Sequence, residues 1–289
     1  MTNSISVLTK EQCYGCRSCE QVCPKNCISF FADEEGFLYP QIDENLCIKC
    51  GLCVKHCPFV QKNEEKNEAE YLGLRLKDSV ELMESASGGV FAALADYVIE
   101  NSGVVFGCAF DENLQARHQK AETIDDVKVL KKSKYVTSNT LRTYSEVADI
   151  LKNQPNRLIL YTGSPCQIHG LYSFLGIRPD NLITADIVCH GVPSQKLFDK
   201  YISWLSKKNK GKILYYGFRD KDVAGWTCGG KTKTKTKTKT KTKTKTKIIN
   251  GAIDPYYSSF MRGETYRLSC YQCAFADINN RPADISMGD

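Results

Sequence analysis

Eight cysteines between Cys13 and Cys57 constrain this chain more than anything else in it. They form two runs, Cys13-x-x-Cys16-x-x-Cys19-x-x-x-Cys23-Pro24 and Cys47-x-x-Cys50-x-x-Cys53-x-x-x-Cys57-Pro58. Thiolates three residues apart in a tight loop reach three irons of one cubane. The fourth, on the next helical turn, is aimed at the other cubane. The spacing therefore assigns Cys13, Cys16, Cys19 and Cys57 to one [4Fe–4S] cluster, and Cys47, Cys50, Cys53 and Cys23 to a second.

Over residues 13–58 the pattern resembles an eight-iron bacterial ferredoxin. A disulfide framework is disfavoured because Met1 to Lys10 has no apolar stretch and no cleavage site of a secretory leader. Zinc sites carry paired C-x-x-C knuckles with a long spacer, not a doubled four-cysteine run. Cys27 has no ligand role in the pattern and reads as a small packed thiol. Fifteen cysteines without a leader imply a reducing compartment and metal ligation, hence a cytoplasmic location.

With 289 residues, 42% of them hydrophobic, the chain has room for two or three domains with cores of ordinary size. Its most apolar stretch, residues 89–110, is broken by Asp96, Glu100 and Asn101, so no membrane span is expected. The formal charge of +6 is misleading. Lys231 to Lys247 is an unbroken Lys-Thr alternation; without its nine lysines, 30 basic residues face 33 acidic ones and the balance is −3. A near-neutral body argues against nucleic-acid binding, and the repeat lacks interleaved aromatic residues for stacking bases.

Between the cysteine runs, Ile28 to Ile42 reads as a hairpin turning at Glu34-Glu35-Gly36. Residues 61–70 are polar and form a linker. Alternation of Leu72, Leu74 and Leu76 predicts a strand. Ser87 then N-caps a helix with Val90, Phe91, Leu94, Tyr97 and Val98 on its apolar side. Gly88 and Gly89 either open a phosphate-binding turn or merely loosen a capped helix. A strand over Val104 to Phe110 carries Cys108, read as a core thiol. The basic, hydroxyl-rich segment Lys131 to Ser138 is consistent with any solvated loop.

Two apolar strands follow, each running into a cysteine and then a helix. Leu158 to Tyr161 leads to Thr162-Gly163-Ser164-Pro165-Cys166-Gln167, and Leu182 to Val188 leads to Cys189-His190-Gly191-Val192-Pro193-Ser194. Strand–turn–helix twice over describes parallel βα units, whose ligands bind at the carboxyl ends of the strands. If the strands are neighbours, Cys166 and Cys189 converge. Cys270 and Cys273, at C-x-x-C spacing, complete a four-thiolate set suited to a third [4Fe–4S] cluster. Zinc fits the same count, and a Cys166 nucleophile with His190 as base is a further alternative.

The order of Ser-Gly-Gly-Val-Phe, Ser-Lys-Tyr-Val-x-Ser, Gly-Ser-Pro-Cys-Gln-Ile, Ile-Val-Cys-His-Gly-Val-Pro-Ser, Phe-Arg-Asp-Lys and Cys-x-x-Cys behind a two-cluster head resembles the coenzyme F-420 hydrogenase/dehydrogenase beta-subunit family. The resemblance implies FAD beside a [4Fe–4S] cluster, in an oxidoreductase that exchanges electrons between iron–sulfur centres and a small-molecule hydride carrier. It implies that Cys166, Cys189, Cys270 and Cys273 hold the third cluster. It places Ser87, Gly88, Gly89, Lys134, Tyr135, Ser138, Thr162 and Gly163 on the flavin; no catalytic residue is named. Expected partners are an external one-electron carrier or, in the alternative reading, a catalytic subunit served by a non-catalytic electron-transfer chain.

The expected fold class is α+β followed by α/β. A bacterial-type ferredoxin domain over residues 1–60 and the linker 61–70 precede a flavin-binding domain with parallel βα units. Residues 71–150 form the first part of that domain, and residues 151–289 the second, with the third cluster site. The Lys-Thr repeat 231–247 departs from the family pattern and reads as a disordered insert or an edge strand with lysines outward. The chain also stops at Met287-Gly288-Asp289, short of the family's further stretch, which is expected to weaken its fold and its flavin pocket.

Overall fold

The computed structural model describes residues 4–61, 69–221, 229–237 and 242–288. Two short helices, α1 (Ser18–Gln21) and α2 (Leu52–Lys55), follow the cysteine loops of the N-terminal unit. Between them β1 (Ile28–Ala32) and β2 (Leu38–Ile42) pair antiparallel from Ile28↔Ile42 to Ala32↔Leu38. The core of this unit consists largely of its own thiols: Cys19, Cys27, Cys53 and Cys57 are buried with Ile5 and Ile28. So little hydrocarbon makes a marginal core unless metal adds to it.

The following unit is built on a mixed five-stranded sheet. Its strands are β3 (Val104–Phe110), β4 (Ala116–Ala121), β5 (Ile159–Gly163), β6 (Leu182–Ile187) and β10 (Ile285–Met287), in the order β10-β6-β5-β3-β4. All neighbours are parallel except the β3–β4 pair at one edge. Successive residues alternate between two cores, as a sheet covered on both faces requires. Val104, Phe106, Ile159 and Tyr161 face α6 (Thr143–Asn153) and α7 (Pro165–Leu175), whereas Val105, Ala109 and Leu160 face α4 (Val90–Glu100) and α5 (Ile124–Lys128). Parts 71–150 and 151–289 thus share one sheet.

A third layer lies beside it. Helices α8 (Gln195–Lys208) and α9 (Pro255–Met261) pack Phe198, Tyr201, Tyr256 and Tyr257 against Tyr216 and Phe218 of β7 (Lys212–Phe218). Strand β7 pairs with β8 (Gly229–Lys237), which pairs with β9 (Thr242–Asn250), all antiparallel. The Lys-Thr repeat is therefore not a disordered insert over its described residues but two strands of a hairpin. The period of two explains it: Thr232 and Thr234 are buried while the intervening lysines face outward. Positions 238–241 of the repeat lie outside the described residues, as does most of the expected linker (62–68).

Two further local expectations fail in the stretch before α4, where α3 (Ser79–Glu84) also lies. Residues 71–76 form no strand; Leu72 and Leu74 are exposed, and the segment instead packs its backbone on Gly88, whose carbonyl accepts the Leu76 N–H at 2.8 Å. A side chain on Gly88 would lie 2.3 Å from the Leu74 carbonyl oxygen. Nor is Ser87 the N-cap of α4. Gly89, at φ +80°, holds that position, and Ser87 itself sits in the left-handed region at φ 48°.

The N-terminal unit is seated directly on the α/β unit. Thr140 Oγ1 donates to the Cys16 carbonyl at 3.1 Å, the Ser145 N–H to Gln21 Oε1 at 3.2 Å, and His56 Nδ1 to the Ser173 carbonyl at 2.5 Å. Ser194 Oγ and Lys196 Nζ reach the carbonyls of Glu35 and Glu34 at 2.6 and 2.8 Å. Gly170 makes the approach of α7 possible: a Cβ there would meet Cys16 Cβ at 2.8 Å.

Candidate iron–sulfur sites and their surroundings

Two cavities in the N-terminal unit sort the eight cysteines. One, with about 310 Å³ of empty space, is lined by Cys13, Cys16, Cys19 and Cys57. The other, with about 340 Å³, is lined by Cys23, Cys47, Cys50 and Cys53, and also by Cys27. Each cavity thus takes three thiols from one run and the last thiol of the other. The first site faces the α/β unit and the second faces away, so we call them inner and outer. At the inner site Cys16, Cys19 and Cys57 are buried; at the outer site Cys50 is exposed. Burial raises the Cys16 and Cys19 thiols, and neighbouring thiolates add to it. Four thiols converging on one cavity favour a cationic guest, since metal binding deprotonates them.

Sequence reasoning left Cys27 without a role, and the structure puts its thiol 3.4 Å from that of Cys23.

The α/β unit gathers the other set. Strands β5 and β6 are neighbours, so Cys166, at the start of α7, and Cys189, just beyond β6, come together at their carboxyl ends. The 3-10 turn Leu268–Gln272 brings Cys270 and Cys273 to the same place. Burial raises all four thiols; Cys166 is raised further by Cys189, Cys270 and Cys273, and Cys189 is pushed up to about 11 by burial and the charges of Cys270 and Cys273. A zinc ion would hold its thiolates about 2.3 Å from one point; among the described residues no three Cys, His, Asp or Glu side chains close around a single ion. His190 is exposed, and the Cys166 thiol lies 3.2 Å from Ser164 Oγ.

Tyr14 joins the two units. Its ring lies 5.5 Å from that of Phe275 and 6.2 Å from that of Phe59. Its phenol is pushed up by burial, then by Cys273 and Cys166 on one side and Cys57 and Cys16 on the other. The inner site and the four-cysteine set therefore share a wall. No sequence pattern marked Tyr14, because its significance arises only when the units dock.

The eight residues expected on a flavin divide. Ser138, Thr162 and Gly163 gather at the carboxyl ends of β3 and β5. Gln167 Nε2 donates to Ser138 Oγ at 2.9 Å, and Thr162 Oγ1 donates to the Phe106 carbonyl at 3.0 Å. His118, missed in the sequence, donates from Nε2 to the Thr162 carbonyl at 3.0 Å while its buried Nδ1 has no hydrogen-bond partner. Burial lowers its pKa to about 4, so it is a neutral imidazole. The remaining residues are engaged by the chain itself. The Lys134 ammonium donates to the carbonyls of Val129, Leu130, Lys131 and Lys132, and burial pulls its pKa down to about 8. Tyr135 stacks on Phe260 at 4.6 Å. The Ser87 carbonyl accepts from Lys221 Nζ, the Leu74 carbonyl closes on Gly88, and the Leu76 side chain covers Gly89.

Comparisons with known proteins find a match within each of these two units. Residues 12–60 match the 4Fe-4S dicluster domain, and residues 156–289 match the C terminus of the coenzyme F420 hydrogenase/dehydrogenase beta subunit. An uncharacterized protein of Methanocaldococcus jannaschii is 25% identical over 202 residues, covering 59% of this chain and 55% of that protein. The coenzyme F420-dependent sulfite reductase of the same organism is 30% identical over 169 residues, covering 55% of this chain and 24% of the reductase. A chain of the F420-reducing [NiFe] hydrogenase complex from Methanosarcina barkeri overlays with a TM-score of 0.49 at 16% identity, covering 74% of this chain and 68% of that one. This chain accordingly spans about half of the first relative and a quarter of the second. Among the described residues no helix is long and apolar enough to cross a membrane. The chain thus joins a unit similar to the C terminus of the coenzyme F420 hydrogenase/dehydrogenase beta subunit, over residues 156–289, to a 4Fe-4S dicluster unit over residues 12–60.

Proposed function

We propose that this chain is the iron–sulfur electron-transfer component of an oxidoreductase, with three [4Fe–4S] clusters in series. Cys23, Cys47, Cys50 and Cys53 hold the outer cluster, Cys13, Cys16, Cys19 and Cys57 the inner, and Cys166, Cys189, Cys270 and Cys273 the third. The observation that carries the reading is the wall shared by the inner and third sites: Tyr14 lines the inner cavity and its ring lies 5.5 Å from that of Phe275, two residues beyond Cys273. The outer site, with Cys50 exposed, receives single electrons from an external carrier or from a catalytic partner subunit. Cys16, Cys19 and Cys57 of the inner site are buried and the four cysteines of the third site are half-buried, so both sites are less open to water than the outer one, where Cys50 is exposed. The outer cluster is thereby the entry point. Iron and sulfide analysis of anaerobically prepared protein tests the reading: four irons for each of three clusters are expected, falling by one cluster in Cys189→Ala. Iron sufficient for two clusters only, unchanged in that variant, removes the third.

The end of the relay is a two-electron step with a small-molecule hydride carrier. A flavin supplies the conversion between one- and two-electron chemistry when bound. Ser138, Thr162 and Gly163, with the neutral His118 and its free Nδ1, are the residues we assign to it. Ser87, Gly88, Gly89, Lys134 and Tyr135, engaged as described, are left out of that assignment. Release of flavin by acid, lost in Gly163→Val, supports the assignment; protein with full iron and no flavin leaves a pure electron-transfer chain.

A further inference from the structure

Among the described residues Arg267 is the largest fully buried side chain, 1% exposed, and it belongs to neither cysteine set. Its backbone caps the turn that carries Cys270, whose N–H donates to the Arg267 carbonyl at 2.8 Å. Its side chain leaves that unit and enters the ferredoxin. Nε donates to the Cys13 carbonyl at 2.7 Å, and Nη2 donates to the Leu38 carbonyl at 2.9 Å and to Cys13 Sγ at 3.5 Å. The guanidinium lies 4.2 Å from the Tyr39 ring centroid. Gly15, at φ +71°, leaves it room, since a Cβ there would approach the guanidinium carbon at 3.0 Å.

The guanidinium's surroundings are two carbonyls, one thiol and the ring faces of Tyr39 and, at 5.7 Å, Phe37. Among the described residues no carboxylate forms an ion pair with Arg267. A buried cation with no anion to balance it is strongly unfavourable. The group able to balance it is the one its thiol contact points to, a cluster whose four thiolates leave it net negative. Both cavities come from the same cysteine motif, yet among the described residues only the inner one receives a cation from the other unit.

Resting on the cluster reading above, we propose that Arg267 is a positioning residue that raises the reduction potential of the inner cluster, through its charge and its hydrogen bond to the Cys13 thiolate. Hydrogen bonds to cluster sulfurs and local charge are levers on such potentials. Adding an electron makes the inner cluster more negative, and the fixed guanidinium stabilises that state. The outer cavity is lined by Lys25, an exposed and solvated ammonium, and not by a buried guanidinium, so the outer cluster sits lower. An electron supplied to it by an external one-electron carrier then moves inward: the outer cluster is oxidised, the inner reduced, and no bond is made or broken. The same side chain, rooted three residues before Cys270, also clamps the two units where the electron crosses.

Potentiometric titration of the full chain, followed by electron paramagnetic resonance, tests this. Wild type must first show iron for its clusters; without it the cluster reading fails, and that failure is separate from this one. In Arg267→Gln the inner cluster, identified as the signal abolished by Cys16→Ala, is expected to become at least tenfold harder to reduce. That factor is 59 mV for a one-electron couple. The outer signal stays in place. Arg267→Lys, which keeps the charge and loses the planar fork, gives a smaller shift in the same direction. A fully loaded Arg267→Gln with an unmoved inner signal overturns the proposal, as does an equal shift of both ferredoxin signals. Should Arg267→Gln hold no inner cluster, Arg267→Lys decides, and an unmoved potential there overturns it.

Discussion

The inner and outer sites of the ferredoxin unit begin from one motif and end in different surroundings. Each has three thiols from a loop and one from the opposite run. At the outer site Cys50 is exposed, as are Leu46 and Ile48 beside it. At the inner site Cys16 is under α7, Thr140 holds its carbonyl, and Arg267 reaches Cys13 from the far unit. A repeated motif fixes local loop geometry and cluster type. What distinguishes the two copies is which face the second unit covers, and that is a property of docking.

The largest expected effect comes from prising that face open. A valine at Gly170 would press a branched side chain where even a Cβ meets Cys16 Cβ at 2.8 Å and Tyr144 Oη at 2.9 Å. Overpacking of this kind costs about 1–3 kcal/mol, concentrated on the inner site. Gly170→Val is expected to lose the inner cluster's iron and keep the outer's; equal loss from both would show that the units do not depend on this contact. A milder form of the comparison uses intact protein. Under a strong chelator the outer cluster is expected to bleach about tenfold faster than the inner, because access to buried ligands requires local opening. Matching rates would erase the distinction between the sites.

Much of this was legible in the residues, and the boundary of legibility is physical. The cysteine pairing across the two runs followed from spacing, and the convergence of Cys166 with Cys189 followed from two strands each ending in a cysteine before a helix. Contacts that exist only after docking left no trace: Tyr14, Arg267 and Gly170 sit in no repeated pattern. Local signals also lost to tertiary ones. Leu72, Leu74 and Leu76 alternate like a strand, but no neighbouring strand is there to pair with, and the segment settles on Gly88 instead. The Lys-Thr repeat looked like low complexity, yet its period of two is the period of a strand, and β7 offers it an edge. Lys134, placed on a flavin by the family resemblance alone, holds its ammonium against the carbonyls just beyond α5.

Acid should also separate the two sites, by loosening the unit that covers the inner one. His118 and His169 are buried and lowered to about 4, by desolvation in both cases and additionally by Arg178 for His169. His169 packs edge-on against Phe275, which touches Tyr14. Between the ordinary histidine pKa of about 6.5 and about 4, the unfolded chain binds protons that the folded chain refuses, so stability rises with pH across that window. Lowering the pH through it is expected to remove on the order of 3 kcal/mol at His118 alone. Thermal unfolding followed against pH should show the loss, with a flatter profile in His118→Gln. The inner cluster is expected to be released before the outer over the same range; release in the opposite order would mean that the outer site depends on the α/β unit as much as the inner.

The smallest expected effect lies at the outer site and concerns Cys27. Its thiol, pushed up to about 12 by burial and then by Cys23, stays protonated, whereas Cys23, despite burial, is held below the usual thiol range by hydrogen bonds from Cys27 and its neighbours. The S–H is therefore a neutral donor 3.4 Å from a ligand sulfur. It is the counterpart at this site of the charged donor at Cys13. Neutral hydrogen bonds are about half as strong as charge-assisted ones, and a thiol donates weakly. Cys27→Ala should keep all its iron and lower the outer potential by less than Arg267→Gln lowers the inner. Loss of outer iron would make Cys27 a ligand in place of Cys23, and a shift larger than that in Arg267→Gln would mean that short-range hydrogen bonding, rather than buried charge, sets the difference between the two sites.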